Sequence, residues 1–266
     1  VIVPQKANFM NPQYPPTIIG GAAFSKYVDE LRFEVQKNDE GLLILDGGNF
    51  FQGHPVGIVD SGRTMVEWMN KVGYHATVPG NNDFLFGVDN LISLSKIAEF
   101  DFLAANLYSS STQELIFEPY KIFNIKGVNV GVIGIVHSNL EDIVLEKNLE
   151  NIKIEDAVYS LYKWIPEIKN KADIIIVLTS LGIPWDREDV YNSHRKKINN
   201  FSQSKNKYFI GEEGKFSTSL IDALYLGIYS FDVDIIVSGG ISKGYPKPWY
   251  DPFSHVYTFQ NYGNGT

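Results

Sequence analysis

Residues 173–179, Asp-Ile-Ile-Ile-Val-Leu-Thr, constrain the fold more than any other segment. A nearly continuous β-branched run has no polar alternation, so it reads as a strand buried in a central sheet with both faces covered. Residues 120–125 and 128–136 are two further apolar segments separated by Lys126-Gly127. That turn signal predicts a β-hairpin leading into another core strand. Shorter strands are expected at 42–46, 75–78, 102–105, 233–237 and 256–260. Helical stripes lie between them. Phe24, Tyr27, Val28, Leu31 and Val35 mark a helix over 22–37, and Met65, Trp68, Met69 and Val72 mark one over 64–72 that Gly73 ends. Leu91, Ile92, Leu94 and Ile97 mark a third, and Ala157, Leu161, Trp164, Ile165 and Ile168 a fourth, with another near 217–229. The alternation predicts an α/β fold, and such folds place function on loops that follow strands.

At 266 residues the chain can bury a sizeable core, and one large α/β domain over residues 1–266 is expected. Hydrophobic residues make up 44% and charged residues 20%, and no apolar run approaches the roughly 20 residues that span a bilayer. A formal charge of −8 argues against a role on nucleic acid, whose phosphates demand Lys and Arg. The chain has no cysteine, which excludes disulfides, zinc–thiolate sites and cysteine nucleophiles. It starts Val-Ile-Val-Pro-Gln-Lys, without an initiator Met or the layout of a signal peptide, so a processed or trimmed start is expected.

The segment 42–53, Leu-Leu-Ile-Leu-Asp-Gly-Gly-Asn-Phe-Phe-Gln-Gly, delivers a tight loop from a buried strand. Other blocks accompany it: Gly20-Gly21-Ala22-Ala23, residues 80–91 beginning Gly80-Asn81-Asn82-Asp83, residues 102–107, Val130-Gly131-Val132-Ile133-Gly134, and Leu178-Thr179-Ser180-Leu181-Gly182. Together they resemble the calcineurin-like metallophosphoesterases, and within them the N-terminal catalytic domain of the 5′-nucleotidase and cyclic phosphodiesterase group. The resemblance implies a four-layer α/β/β/α sandwich with two mixed β-sheets. It also implies export to the periplasm or cell surface. The family's C-terminal nucleotide-binding domain is expected to lie outside residues 1–266, so nucleotide binding stays open.

Enzymes of this kind hold two divalent ions, manganese, zinc or iron, roughly 3.5–4 Å apart around a bridging hydroxide. The resemblance implies ligands from an early Asp-x-His, an Asp after the second strand, an Asn in Gly-Asn-His-Asp/Glu, a His in His-Leu-Gly and a late Gly-His-x-His. The early motif would fall just before Val1. Asn49 stands where the bridging acid belongs, and a neutral amide oxygen replaces an anionic bridge poorly. Asn81 matches the ligand Asn, but Asn82 replaces the neighbouring His and leaves Asp83 without an imidazole partner. Ser180 stands for the His of the fourth block, and a hydroxyl is a weak transition-metal ligand. The late block, residues 237–244, contains no His. Its two registers put either Ile241 and Lys243 or Gly240 and Ser242 at the imidazole positions.

These departures imply a degenerate phosphoesterase domain, catalytically inactive, that holds no metal cofactor and serves protein binding or assembly. The alternative is an active metal-dependent phosphohydrolase with a reduced site drawn from Asp46, Asn81, Asp83 and His54. His54 is the one histidine of five in a motif loop, and a lone loop histidine is more often an exposed polar residue than a ligand. His75 and His137 border core strands and read as structural. Asn81-Asn82-Asp83 could instead close a turn and cap the next helix. Two segments suit a partner surface: the polar excursion 186–216 and the aromatic loop 245–252, where Trp249 and Tyr250 are candidate anchors. Trp249 and Tyr250 could equally cover a sheet edge.

Overall fold

The computed structural model describes residues 5–6, 13, 17–18, 20–52, 55–183, 222–240 and 247–260. A short antiparallel pair, β1 (Gln5–Lys6) with β2 (Thr17–Ile18), precedes α1 (Gly21–Lys37). Val28 of α1 is buried, and Phe24 packs on Trp68 at 5.9 Å between ring centroids. Trp68 belongs to α3 (Arg63–Val72), which follows β3 (Leu45–Asp46) and the one-turn α2 (Pro55–Ile58). Met65, Val66, Met69 and Val72 form the buried face of α3. Gly73 ends α3 in the left-handed region at φ 76°. The Arg32 guanidinium of α1 donates to the Val72 and Gly73 carbonyls that this ending leaves free.

β4 (Ala76–Thr77) pairs in parallel with β3 and with β5 (Asp101–Phe102), giving a three-stranded sheet under α1, α3 and α4 (Val88–Ser95). Then β6 (Leu107–Ser109) runs on to the hairpin of β7 (Tyr120–Ile125) and β8 (Val128–Ile135). Lys126 and Gly127 both have positive φ, 52° and 87°, the turn that matches strand twist. After α5 (Leu140–Ile143), β9 (Ile152–Ile154) pairs with β6. There follow α6 (Ala157–Ile168), β10 (Ile174–Thr179), α7 (Ala223–Ile228), β11 (Ile235–Ser238), β12 (Trp249–Tyr250) and β13 (Tyr257–Gln260). The larger sheet has the order β12-β13-β11-β10-β8-β7 and is mixed, with β8, β10, β11 and β13 parallel.

Two cores explain the layers. On β8 and β10, Val130, Val132, Ile176 and Leu178 face a core shared with Phe51, Met65, Met69, Leu91 and Phe102 of the smaller sheet and its helices. The alternate residues Ile133, Ile135, Ile175 and Val177 face a second core with Leu161, Ile165 and Ile168 of α6 and Leu224 and Leu226 of α7. Strands with apolar side chains on both faces need both faces covered, and the result is the α/β/β/α order expected from the sequence.

Several expected elements differ in detail. The strand expected over 102–105 shortens to two residues. Beyond it the Ala104 and Ala105 N–H groups donate to the Glu118 and Gly134 carbonyls, so the chain crosses from one sheet to the other. The pair β6–β9 was not anticipated. Trp249 and Tyr250, expected in a loop, form an edge strand antiparallel to β13. The helix expected near 217–229 is seen over Ala223–Ile228, capped by the Asp222 carboxylate on the Tyr225 N–H at 2.8 Å. Residues 186–216, His54, Tyr245 and Pro246 lie outside the described residues.

Candidate functional site

Four loops at the carboxyl ends of β3, β4, β10 and β11 converge where such folds place ligands. They meet backbone to backbone. A Cβ on Gly47 would lie 2.7 Å from the Gly239 backbone, and one on Gly240, at φ 88°, would lie 2.0 Å from the Ser180 carbonyl oxygen. The smaller and larger sheets are therefore joined here by a seam that only glycine permits. Ser180 is buried in it, and its hydroxyl donates to the Pro79 carbonyl at 3.1 Å.

Asp83 holds the first side of the seam. It sits in a 3₁₀ helix, Asn81–Phe86, and is fully buried. One carboxylate oxygen accepts from the N–H of Asn49 at 2.6 Å and of Gly80 at 2.8 Å, and the other accepts from the N–H of Phe50 at 3.0 Å. Burial pushes this carboxyl up to about 7, with a further push from Asp46, while the three N–H groups pull it down. The next helix, α4, starts after Gly87 without a side-chain cap; Asn81-Asn82-Asp83 instead form the first turn of the 3₁₀ helix, where Asp83 accepts the Gly80 N–H. The same side chain also ties down the preceding loop.

Asn49 follows β3 on the same side and reaches across the seam. Its backbone is left-handed at φ 64°, a conformation that Asn tolerates better than most residues. Its side-chain oxygen accepts from the Asn82 N–H at 2.8 Å. Its NH2 donates to the Asn81 side-chain oxygen at 3.2 Å and to the Gly240 carbonyl at 3.4 Å. The Asn81 amide also donates to the Asn82 side-chain oxygen at 3.2 Å. Asn49, Asn81, Asn82 and Asp83 are thus brought together, and their polar atoms are largely spent on one another.

Asp46 is bonded differently. One of its oxygens accepts from the Gly48 N–H at 3.0 Å and the Thr77 hydroxyl at 2.8 Å. Burial raises its carboxyl above the usual range, against those two donors. Thr77 was not singled out in the sequence, and a hydroxyl on the strand beside Asp46 was the signal for it. Gly240, which one register of the late block puts at an imidazole position, contributes its backbone carbonyl instead, as a partner of the Asn49 NH2. His75 and His137 are structural as expected: each accepts a backbone N–H at Nδ1, from Ile44 at 3.0 Å and Asn139 at 3.1 Å. Burial lowers both imidazoles.

A binuclear centre needs several anionic or imidazole ligands around one space. Among the described residues no group of three His, Cys, Asp or Glu side chains is placed to hold a metal ion. The space that Asn49, Asn81 and Gly240 would share with a cation is spanned by the Asn49 NH2 group. These described residues do not fit two transition-metal ions.

The sequence profile of the calcineurin-like phosphoesterases matches residues 21–242. The chain belongs to that family. Within the family it is 31% identical to a 5′-nucleotidase of Vibrio cholerae over 165 residues, 61% of this chain and 30% of that protein. The chain thus spans about a third of the length of such relatives. Its fold matches the calcineurin-like phosphoesterase YfkN of Bacillus subtilis with a TM-score of 0.68 at 23% identity, over 93% of this chain and 74% of that one. It matches the sulfate thiohydrolase SoxB of Thermus thermophilus with a TM-score of 0.70 at 16% identity, over 94% and 39%. This calcineurin-like phosphoesterase chain is therefore a 5′-nucleotidase-like domain, and no described helix is long and apolar enough to cross a membrane.

Proposed function

We propose that this domain has kept the phosphoesterase scaffold, has lost binuclear metal catalysis, holds no metal cofactor, and serves protein binding or assembly as an exported protein. The observation that carries the reading is the Asn49 amide, which bonds Asn81 and Gly240 where the resemblance calls for an acid bridging two cations. In such centres the ions supply a nucleophilic hydroxide and neutralise charge that develops on phosphate. Asp83, the acid retained beside them, has both oxygens engaged by backbone N–H groups.

A candidate partner surface lies along β12 and β13. Tyr250, Tyr257 and Phe259 are each more than 40% exposed there, and Tyr250 and Tyr257 pack with ring centroids 4.9 Å apart. Half-exposed aromatic residues are the side chains that interfaces favour. Trp249 is less available, since it packs partly buried against the core under α6 and α7.

Elemental analysis after dialysis, with activity assays on AMP, ADP, UDP-sugars, cyclic 2′,3′-nucleotides and an aryl phosphate in manganese, tests the reading. The expected result is no stoichiometric metal and background rates. Retention of about two ions per chain, or turnover above roughly 1 per second that is lost on changing Asn81, would establish the active phosphohydrolase instead.

A further inference from the structure

We infer that the Asn49 side-chain NH2 is a built-in substitute for a cation, holding together backbone and side-chain oxygens that would otherwise repel one another. The inference rests on the reading above. It starts from the orientation of the amide, which two backbone groups dictate. The Asn82 N–H is a fixed donor 2.8 Å away, so the oxygen of Asn49 must face it. The Gly240 carbonyl is a fixed acceptor 3.4 Å from the other end, so the NH2 must face that side. The Asn81 oxygen, 3.2 Å away, completes the set. A flipped amide would set donor against donor at one end and acceptor against acceptor at the other.

The consequence concerns the charge that position 49 accepts. A carboxylate there would keep the Asn82 N–H with one oxygen and turn the other towards the Gly240 carbonyl and the Asn81 oxygen. With the Asn81 amide held as it stands by its bond to Asn82, three oxygens, one of them anionic, would then face a shared space without a proton among them. Such a cluster needs a hard cation, for which carboxylate, carbonyl and side-chain amide oxygens are suitable ligands. The native amide meets the same demand with a partial positive charge of its own. It does so across the two halves of the molecule, because Gly240 follows β11 in the larger sheet and Asn81 follows β4 in the smaller one.

The test compares the wild type with Asn49→Asp by thermal unfolding at pH 8, in EDTA and in manganese, magnesium or calcium chloride. The wild type is expected to melt alike in all of them. Asn49→Asp is expected to melt roughly 4 °C or more lower in EDTA and to regain that difference in at least one of the cations. An Asn49→Asp protein that matches the wild type in EDTA, or stays low in all three cations, overturns the inference. Should Asn49→Asp not fold in any of these buffers, NMR of the wild type decides. The Asn49 NH2 protons are expected to be protected from solvent exchange and to lose that protection in Asn81→Ala; free exchange in the wild type overturns the inference. Metal held by the wild type would sink the proposed function, whereas a cation-indifferent Asn49→Asp leaves that reading standing and removes only this one.

Discussion

Asp83 and Tyr250 mark two regions built on opposite terms. Asp83 shows no surface, and three backbone N–H groups from two loops converge on its carboxylate. Tyr250 keeps 43% of its surface exposed, and its hydroxyl bonds His255 at 2.8 Å within the same short hairpin. The seam at the strand ends is polar, buried and satisfied by partners far apart in the chain. The β12–β13 edge is aromatic, half exposed and satisfied locally. Substitution in the first should cost stability, because each lost group leaves a buried partner unpaired. Substitution of the exposed side chains Tyr250, Tyr257 and Phe259 in the second should leave stability almost unchanged and alter only what the surface can bind.

The largest effect is expected from Asp83→Ala. Removing the carboxylate leaves the Gly80, Asn49 and Phe50 N–H groups without their acceptor, and buried donors cost about 1–3 kcal/mol each when unpaired. Urea unfolding should show a loss of about 3 kcal/mol or more. A loss below about 1 kcal/mol would mean that water reaches the seam, and the contrast with the edge would fail.

The same residue supplies a pH test. A carboxyl raised to about 7 in the folded state, from an ordinary value of 3.8, keeps its proton on folding where the unfolded chain has lost it. The stability it contributes is complete below the unfolded value and is lost as pH rises towards 7, by up to about 1.4 kcal/mol per pH unit. Partial burial also raises half-buried Asp46 and Asp156, so the wild type alone does not isolate Asp83. The difference between wild type and Asp83→Asn should fall with rising pH between roughly 4 and 7 and be flat above it. A flat difference throughout would show that the three N–H groups outweigh burial and keep Asp83 ionised.

A smaller cost is expected from Ser180→Ala, which removes the buried hydroxyl on the Pro79 carbonyl. One neutral hydrogen bond contributes about 1 kcal/mol, and the methyl group fits the space. Denaturant midpoints should place this variant between Asp83→Ala and Tyr250→Ala. Stabilisation by Ser180→Ala would indicate that the hydroxyl is retained for something other than the seam.

The sequence made the layers legible because their cause is local. The run at 173–179 could only be a strand covered on both faces, and Lys126-Gly127 carried the turn between β7 and β8 in two residues. Motif positions were legible as well, since Asn49, Asn82 and Ser180 could be placed against the family's blocks. What those residues do there was not legible. The Asn49 amide is explained by a carbonyl 191 residues away, and no local pattern announces that pair. Strand β12 escaped notice for a similar reason, because two residues become a strand only through pairing with β13.

The smallest effect on stability is expected from Tyr250→Ala, and it bears most directly on what the edge is for. Tyr250 and Trp249 are neighbours on one two-residue strand, yet their side chains meet different surroundings. Trp249 packs on the second core, so its loss opens space at the edge of that core and should cost about 1–3 kcal/mol. Tyr250 lies against Tyr257 and His255 on the outside, where a truncation should stay within about 0.5 kcal/mol. If the edge is a docking surface, Tyr250→Ala and Tyr257→Ala should melt like the wild type while weakening capture of the native partner. Trp249→Ala should lower the melting temperature first and affect capture only through that loss. Equal destabilisation by Tyr250→Ala and Trp249→Ala would show that the edge is packing rather than surface, and the partner reading would lose its footing.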